Sequence, residues 1–97
     1  MIYHITDIGS WATALQTGKY EHFSLQSEGF IHTSKFEQIA GVLKRYYVNA
    51  SNLLLLHIDE SKLTSPLKYE MSLTLNESFP HIYGPVNLES VIKTESI

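Results

Sequence analysis

Cysteine is absent from these 97 residues. Disulfide bonds, thiolate metal ligands and thiol nucleophiles are therefore excluded. Positive charge is scarce: seven Lys and Arg stand against ten Asp and Glu, a net charge of −3 with neutral histidines. General nucleic-acid binders carry a basic excess or stripe. The only basic cluster, Lys44-Arg45, reads as a solvated helix face or a cationic spot for one phosphate. Long apolar runs are missing too, since the longest aliphatic stretch, Leu53–Leu56, is far too short to span a bilayer. No basic segment followed by an apolar stretch and a small-residue cleavage site opens the chain, so a cytoplasmic location is expected. The five glycines never fall into a Gly-x-Gly-x-x-Gly pattern. No phosphate-binding loop, His-Glu-x-x-His helix or Gly-x-Ser-x-Gly elbow occurs.

What is present describes a globular chain, 43% hydrophobic and only 18% charged, with a length that suits one domain over residues 1–97. Met1 to Ile5 is apolar and β-prone. Asp7 can cap a helix through about Thr17, with Ile8, Trp11, Ala12 and Leu15 at helical spacing. Gly18 ends it. Tyr20 to Phe23 reads as a short extended piece. Ser24 to Gly29 reads as one helical turn, capped by Ser24 and left through a left-handed Gly29. Phe30 to Thr33 returns to strand. Ser34 then caps a second helix, Lys35 to Tyr47, with Phe36, Ile39, Ala40, Leu43 and Tyr47 on one face. Glu37 takes the third position of a capping box, and Gln38 lies beside it. Leu53 to Ile58 has the continuous apolar pattern of a central strand. Leu67 to Leu75 alternates as a strand does. His81 to Tyr83 forms a short strand behind Pro80, and a last strand lies around Ser90 to Lys93. This order makes an α+β domain with its helices in the first half.

Three of the five histidines lie in strand-like segments. A neutral imidazole there needs partners for its polar nitrogens. Alternation puts His4 with Ile2, His32 with Phe30, and His81 with Tyr83. One cleft lined by His4, His32, His81 and Tyr83 is one reading. Three separate histidines, each satisfied by a backbone carbonyl, is the other. His22, in a loop, and His57, at the end of an aliphatic strand, read as structural. Glu70 in mid-strand can orient a histidine, bind a ribose hydroxyl, or point into water. Ser34 brings a hydroxyl and a helix N-terminus, which favours anions, to the His32 side. Trp11 reads as core.

The residues Ile2-Tyr3-His4-Ile5-Thr6, Trp11, Tyr20, Ser24-Leu25, Glu28-Gly29-Phe30-Ile31-His32, Ser34, Gln38, Leu63, Glu70 and Phe79-Pro80-His81-Ile82-Tyr83-Gly84-Pro85 form a pattern across nearly the whole chain. The pattern resembles a small bacterial family of uncharacterised proteins, the domain of unknown function number nine hundred and fifty-two. Some of its members carry a glutathione-transferase-related label, but no thioredoxin-like opening can be read here. More distantly, Tyr3-His4-Ile5-Thr6 is similar to the first-strand Tyr-His-Gly-Thr of ADP-ribosyltransferases and of RNA 2′-phosphotransferases. Phe30-Ile31-His32-Thr33-Ser34 is similar to the Val-His-Leu-Ser stretch of the phosphotransferases, and Leu54 to Asp59 looks like their following central strand. Ile5 stands where those families have glycine, and their phosphate-holding arginines have no evident counterpart.

This second resemblance implies an ADP-ribosyltransferase-like fold, a split and largely antiparallel sheet of about six strands with two helices packed on it. It also implies a nucleotide site for which NAD or ADP-ribose would be the substrate. His4, His32, His81 and Tyr83 are the expected catalytic residues, and Thr6, Tyr20, Ser34 and Glu70 the expected ligand-binding ones. A binding site without catalysis, and a metal-dependent hydrolase using three histidines, are the alternatives. The expected site is metal-free, because Tyr83, Ser34 and a helix N-terminus suit an anionic organic ligand better than a cation. The expected partner is a small molecule, with no general nucleic-acid binding and no membrane.

Overall fold

A computed structural model describes residues 1–97. Its strands are β1 (Ile2–Asp7), β2 (Lys19–Tyr20), β3 (Ile31–His32), β4 (Leu53–Ile58), β5 (Leu67–Ser72), β6 (Glu77–Ile82), β7 (Val86–Asn87) and β8 (Val91–Ser96). Its helices are α1 (Ile8–Thr17), the single turn α2 (Ser24–Ser27) and α3 (Ile39–Tyr46), the last preceded by a 3₁₀ turn at Phe36–Gln38. All strand pairs are antiparallel, in the orders β1-β4-β8, β3-β6-β5 and β2-β7. The fold is thus α+β with antiparallel sheets. No helix is long and apolar enough to cross a membrane.

The two three-stranded sheets are joined at one point. Tyr3 and Ser34 exchange both backbone hydrogen bonds, Tyr3 N–H to Ser34 O at 2.9 Å and Ser34 N–H to Tyr3 O at 2.8 Å. Beyond that bridge β1 and β3 separate, and the sheet splits. Pro80 explains why β3 is so short. Its carbonyl accepts from the Thr33 N–H and, at 2.6 Å, from the Thr33 hydroxyl. Without an N–H of its own, Pro80 cannot return the ladder bond, so the pairing ends there. The chain then crosses from β6 to β1. The expected short strand behind Pro80 is in fact a longer one that begins at Glu77 and runs through it.

The core lies under the joined sheets and centres on Ile2, Tyr20, Ile31, Leu56, Ile58, Ile82 and Val86, with Trp11 packed against it. Asp7 caps α1 as expected, accepting from Ser10 N–H at 2.7 Å. The buried face of α1 differs from the expected one: Ile8 and Leu15 are exposed, and Ala14 is the residue that α1 seats in the core. Spacing alone allowed either stripe, and the join to β2 at Gly18 selects the Trp11–Ala14 side. Ser34 is held in the bridge, so it does not cap the second helix. Gln38, not Glu37, closes that cap, its Oε1 accepting from Lys35 N–H at 2.9 Å. Gly29 leaves α2 at φ 88°, which aims Phe30 and His32 at the split.

Candidate functional site

β1 turns its peptide groups alternately toward β4 and toward the split. Because Tyr3 bonds Ser34, Ile5 two residues on turns its N–H and C=O the same way, where β3 offers them no backbone partner. On the other side, His32 turns its carbonyl toward β1. In an unbroken sheet Ile5 and His32 would be neighbours. Instead the His4 ring takes that place, with Nδ1 2.7 Å from His32 O. The His4 side chain therefore bridges the gap that it helps to open.

The proton positions around His4 follow from its partners. A carbonyl only accepts, so Nδ1 carries the proton. Nε2 lies 2.8 Å from the Tyr20 hydroxyl. Burial drives the His4 pKa from 6.5 down to about 4, with the neighbouring His22 and His32 adding to the effect, so the ring is neutral at pH 7. Nε2 must then accept the single proton of Tyr20. The 2.9 Å contact between the Tyr20 and Thr6 hydroxyls is donated by Thr6 for the same reason. Burial also pushes Tyr20 up to about 12. Thr6, Tyr20, His4 and the His32 carbonyl form one closed, buried chain, and neither nitrogen of His4 is left for a ligand.

His32 and His81 lie outside that seal. They pair directly across β3 and β6, with ring centres 5.2 Å apart. His32 Nε2 donates to Glu28 Oε2 at 2.8 Å, and His81 Nδ1 donates to Glu70 Oε1 at 2.8 Å. The Tyr83 hydroxyl donates a short hydrogen bond to the same oxygen of Glu70. This bond, ahead of the one from His81, holds Glu70 below the usual carboxylate range and raises Tyr83. Phe30 stacks on His81 at 4.1 Å and lies 5.3 Å from Tyr83. Each imidazole is thus held at one nitrogen by its own carboxylate. The other nitrogen, Nδ1 of His32 and Nε2 of His81, makes no hydrogen bond within the protein.

A cleft of about 410 Å³ opens at the split, lined by His4, His22, His32, His81, Ser34 and Ile5, and on the far wall by Arg45, Tyr46 and Tyr47. The structure therefore brings His4, His32, His81 and Ser34 to one place. Glu70 and Tyr83 stand behind His81, while Thr6 and Tyr20 lie within the wall. His22, read from the sequence as a loop residue without a role, lines the cleft. Its ring centre is 5.4 Å from that of His4, and its Nδ1 is 2.8 Å from Ser24 Oγ. Burial lowers its pKa. Arg45 was read as a solvated or phosphate-holding residue, and it lines the cleft with no carboxylate within ion-pair reach. The Ile5 peptide carries no sequence signal at all, because every residue has one.

No three or more His, Asp or Glu side chains converge as metal ligands, and His4 lacks the free nitrogen that a three-histidine centre would need. His57 points away from the cleft to Glu95, at 2.6 Å.

Comparison with known proteins defines the class. The model of the family described as Protein of unknown function (DUF952) matches residues 5–94. The chain belongs to that family, whose description names no activity. Among solved structures it is similar to protein CC0527 from Caulobacter crescentus. The crystal structure of that protein is 30% identical, with a TM-score of 0.89 over 98% of this chain and 83% of the other. Its solution NMR structure is also 30% identical, with a TM-score of 0.84 over 99% and 83%. No curated protein matches the chain.

Proposed function

We propose that the cleft at the sheet split binds a nucleotide or an ADP-ribose-like ligand. The observation that carries this reading is what the cleft combines: the imidazoles of His32 and His81, the unpaired Arg45 guanidinium, and the Ile5 peptide turned inward beside them. A guanidinium and imidazoles suit phosphate oxygens. A peptide donor and acceptor side by side suit the edge of a base or a carboxamide. Tyr46 and the two histidine rings line the cleft as flat groups. Glu28 and Glu70 would repel a phosphate if they stood alone, but each is turned toward a histidine.

In this reading His4, with Thr6 and Tyr20, holds the wall, and Ser34 holds the bridge at its base. NAD and ADP-ribose are the first ligands to try, on the strength of the likeness of Tyr3-His4-Ile5-Thr6 to the first strand of ADP-ribosyltransferases. Calorimetric titration with NAD, ADP-ribose and AMP tests it. Binding at micromolar to millimolar concentration, weakened in Arg45→Ala, is expected. No heat with any of the three would sink the reading.

A further inference from the structure

We propose that His81 and His32 act as a base and an acid that hydrolyse a phosphoester of a nucleotide-sized ligand. This rests on the nucleotide reading above and adds a reaction to it. Two imidazoles with free nitrogens face one cleft, their ring centres 5.2 Å apart. Each is fixed by a separate carboxylate, Glu70 from β5 behind His81 and Glu28 from the end of α2 behind His32. His57 also holds a carboxylate, Glu95, but alone and away from the cleft; His32 and His81 differ in standing as a pair on its wall. His4 shows the contrast within the same chain, sealed at both nitrogens. A carboxylate on one nitrogen fixes which tautomer and ring orientation the other presents. A cleft of about 410 Å³ suits one nucleotide.

The step balances with water as the only co-reactant. At the start His81 is neutral and His32 is an imidazolium. A water oxygen attacks phosphorus, and its proton passes to His81 Nε2. The bond from phosphorus to the leaving oxygen breaks, and that oxygen takes the proton from His32 Nδ1. One water is added to the ester. Proton exchange with solvent then restores both rings. Glu70 and Glu28 are positioning residues that act through the rings, and Tyr83 holds Glu70 in place. The other titratable or charged groups around the pair are the sealed His4, His22 and Arg45 on the cleft, and Lys68 over the Tyr83 ring at 4.9 Å.

The test uses the full chain and two esters that differ in leaving group: a nucleoside 2′,3′-cyclic phosphate, whose alkoxide needs protonation, and bis(p-nitrophenyl) phosphate, whose phenolate does not. His81→Asn should lower kcat/KM on both by about 10²-fold or more. His32→Gln should do so on the cyclic phosphate and far less on the aryl ester. Glu70→Gln should move one limb of the pH–rate profile, and Glu70→Asp should restore part of the rate. One-dimensional proton NMR checks that each variant is folded. Equal rates in wild type and folded His81→Asn would overturn the proposal. Calorimetric binding of AMP with no turnover of either ester between about pH 5 and 8 would overturn the hydrolase and leave the nucleotide reading standing. No turnover and no binding would remove both.

Discussion

His4 and His81 are the same residue type, one in each of the two joined sheets, and the fold treats them in opposite ways. His4 is buried, hydrogen-bonded at both nitrogens and neutral down to about pH 4. His81 is partly open, held at one nitrogen by Glu70 and free at the other. Burial and the number of internal partners, not residue identity, separate a histidine that closes a sheet from one that can do chemistry.

The sharpest way to break this comparison is truncation. His4→Ala leaves the His32 carbonyl without its donor, takes from Tyr20 one of its two partners and opens a void, and should cost about 3–4 kcal/mol. His81→Ala strips a mostly covered ring from Phe30 but leaves only the half-exposed Glu70 short of a partner, and should cost less, about 1–2 kcal/mol. Urea unfolding compares the two, and equal costs would erase the distinction.

The second test is acid. The unfolded His4 takes up a proton near its ordinary 6.5, and the folded one only near 4. Stability from this group is therefore complete above about pH 6.5 and falls as the pH drops toward 4. The loss should reach about 3 kcal/mol. Unfolding free energies measured across that range should show the decline, and His4→Gln should flatten it.

Tyr20→Phe is a smaller perturbation. It keeps the ring in the core but removes the proton that His4 Nε2 accepts, for a cost of about 1–2 kcal/mol in thermal or urea unfolding.

Glu28→Gln should change stability by less than about 0.5 kcal/mol, since both members of its pair with His32 are about half exposed. Its effect belongs to His32. The imidazole proton resonances of His32 should shift or broaden as its ring loses the fixed partner, while those of the sealed His4 ring stay in place.

Much of the fold was legible in the chain. The central strand Leu53–Ile58, the Asp7 cap and the turn out of Gly29 follow from apolar pattern and local turn chemistry, and all are present. The buried stripe of α1 was not legible, because 3.6-residue spacing fits two faces of a short helix. The length of β6 was hidden by Pro80, which signals the end of a strand when read in sequence. In three dimensions its missing N–H ends only the pairing with β3.

Sequence alone determined that this is a cysteine-free α+β chain of one recognisable family with histidines set in strands. Residue types and their spacing are local facts, and strand parity carries them as far as a shared face. Only the tertiary structure decided which histidine is sealed and which is open. That depends on His32 meeting the His4 ring where a strand neighbour would have been, and on Glu70 reaching His81 from the next strand. It also drew in His22, which no motif marks, and gave Arg45 and the Ile5 peptide a place on the cleft that the sequence did not assign them. Partners distant in the chain set burial and protonation, and no local pattern encodes them.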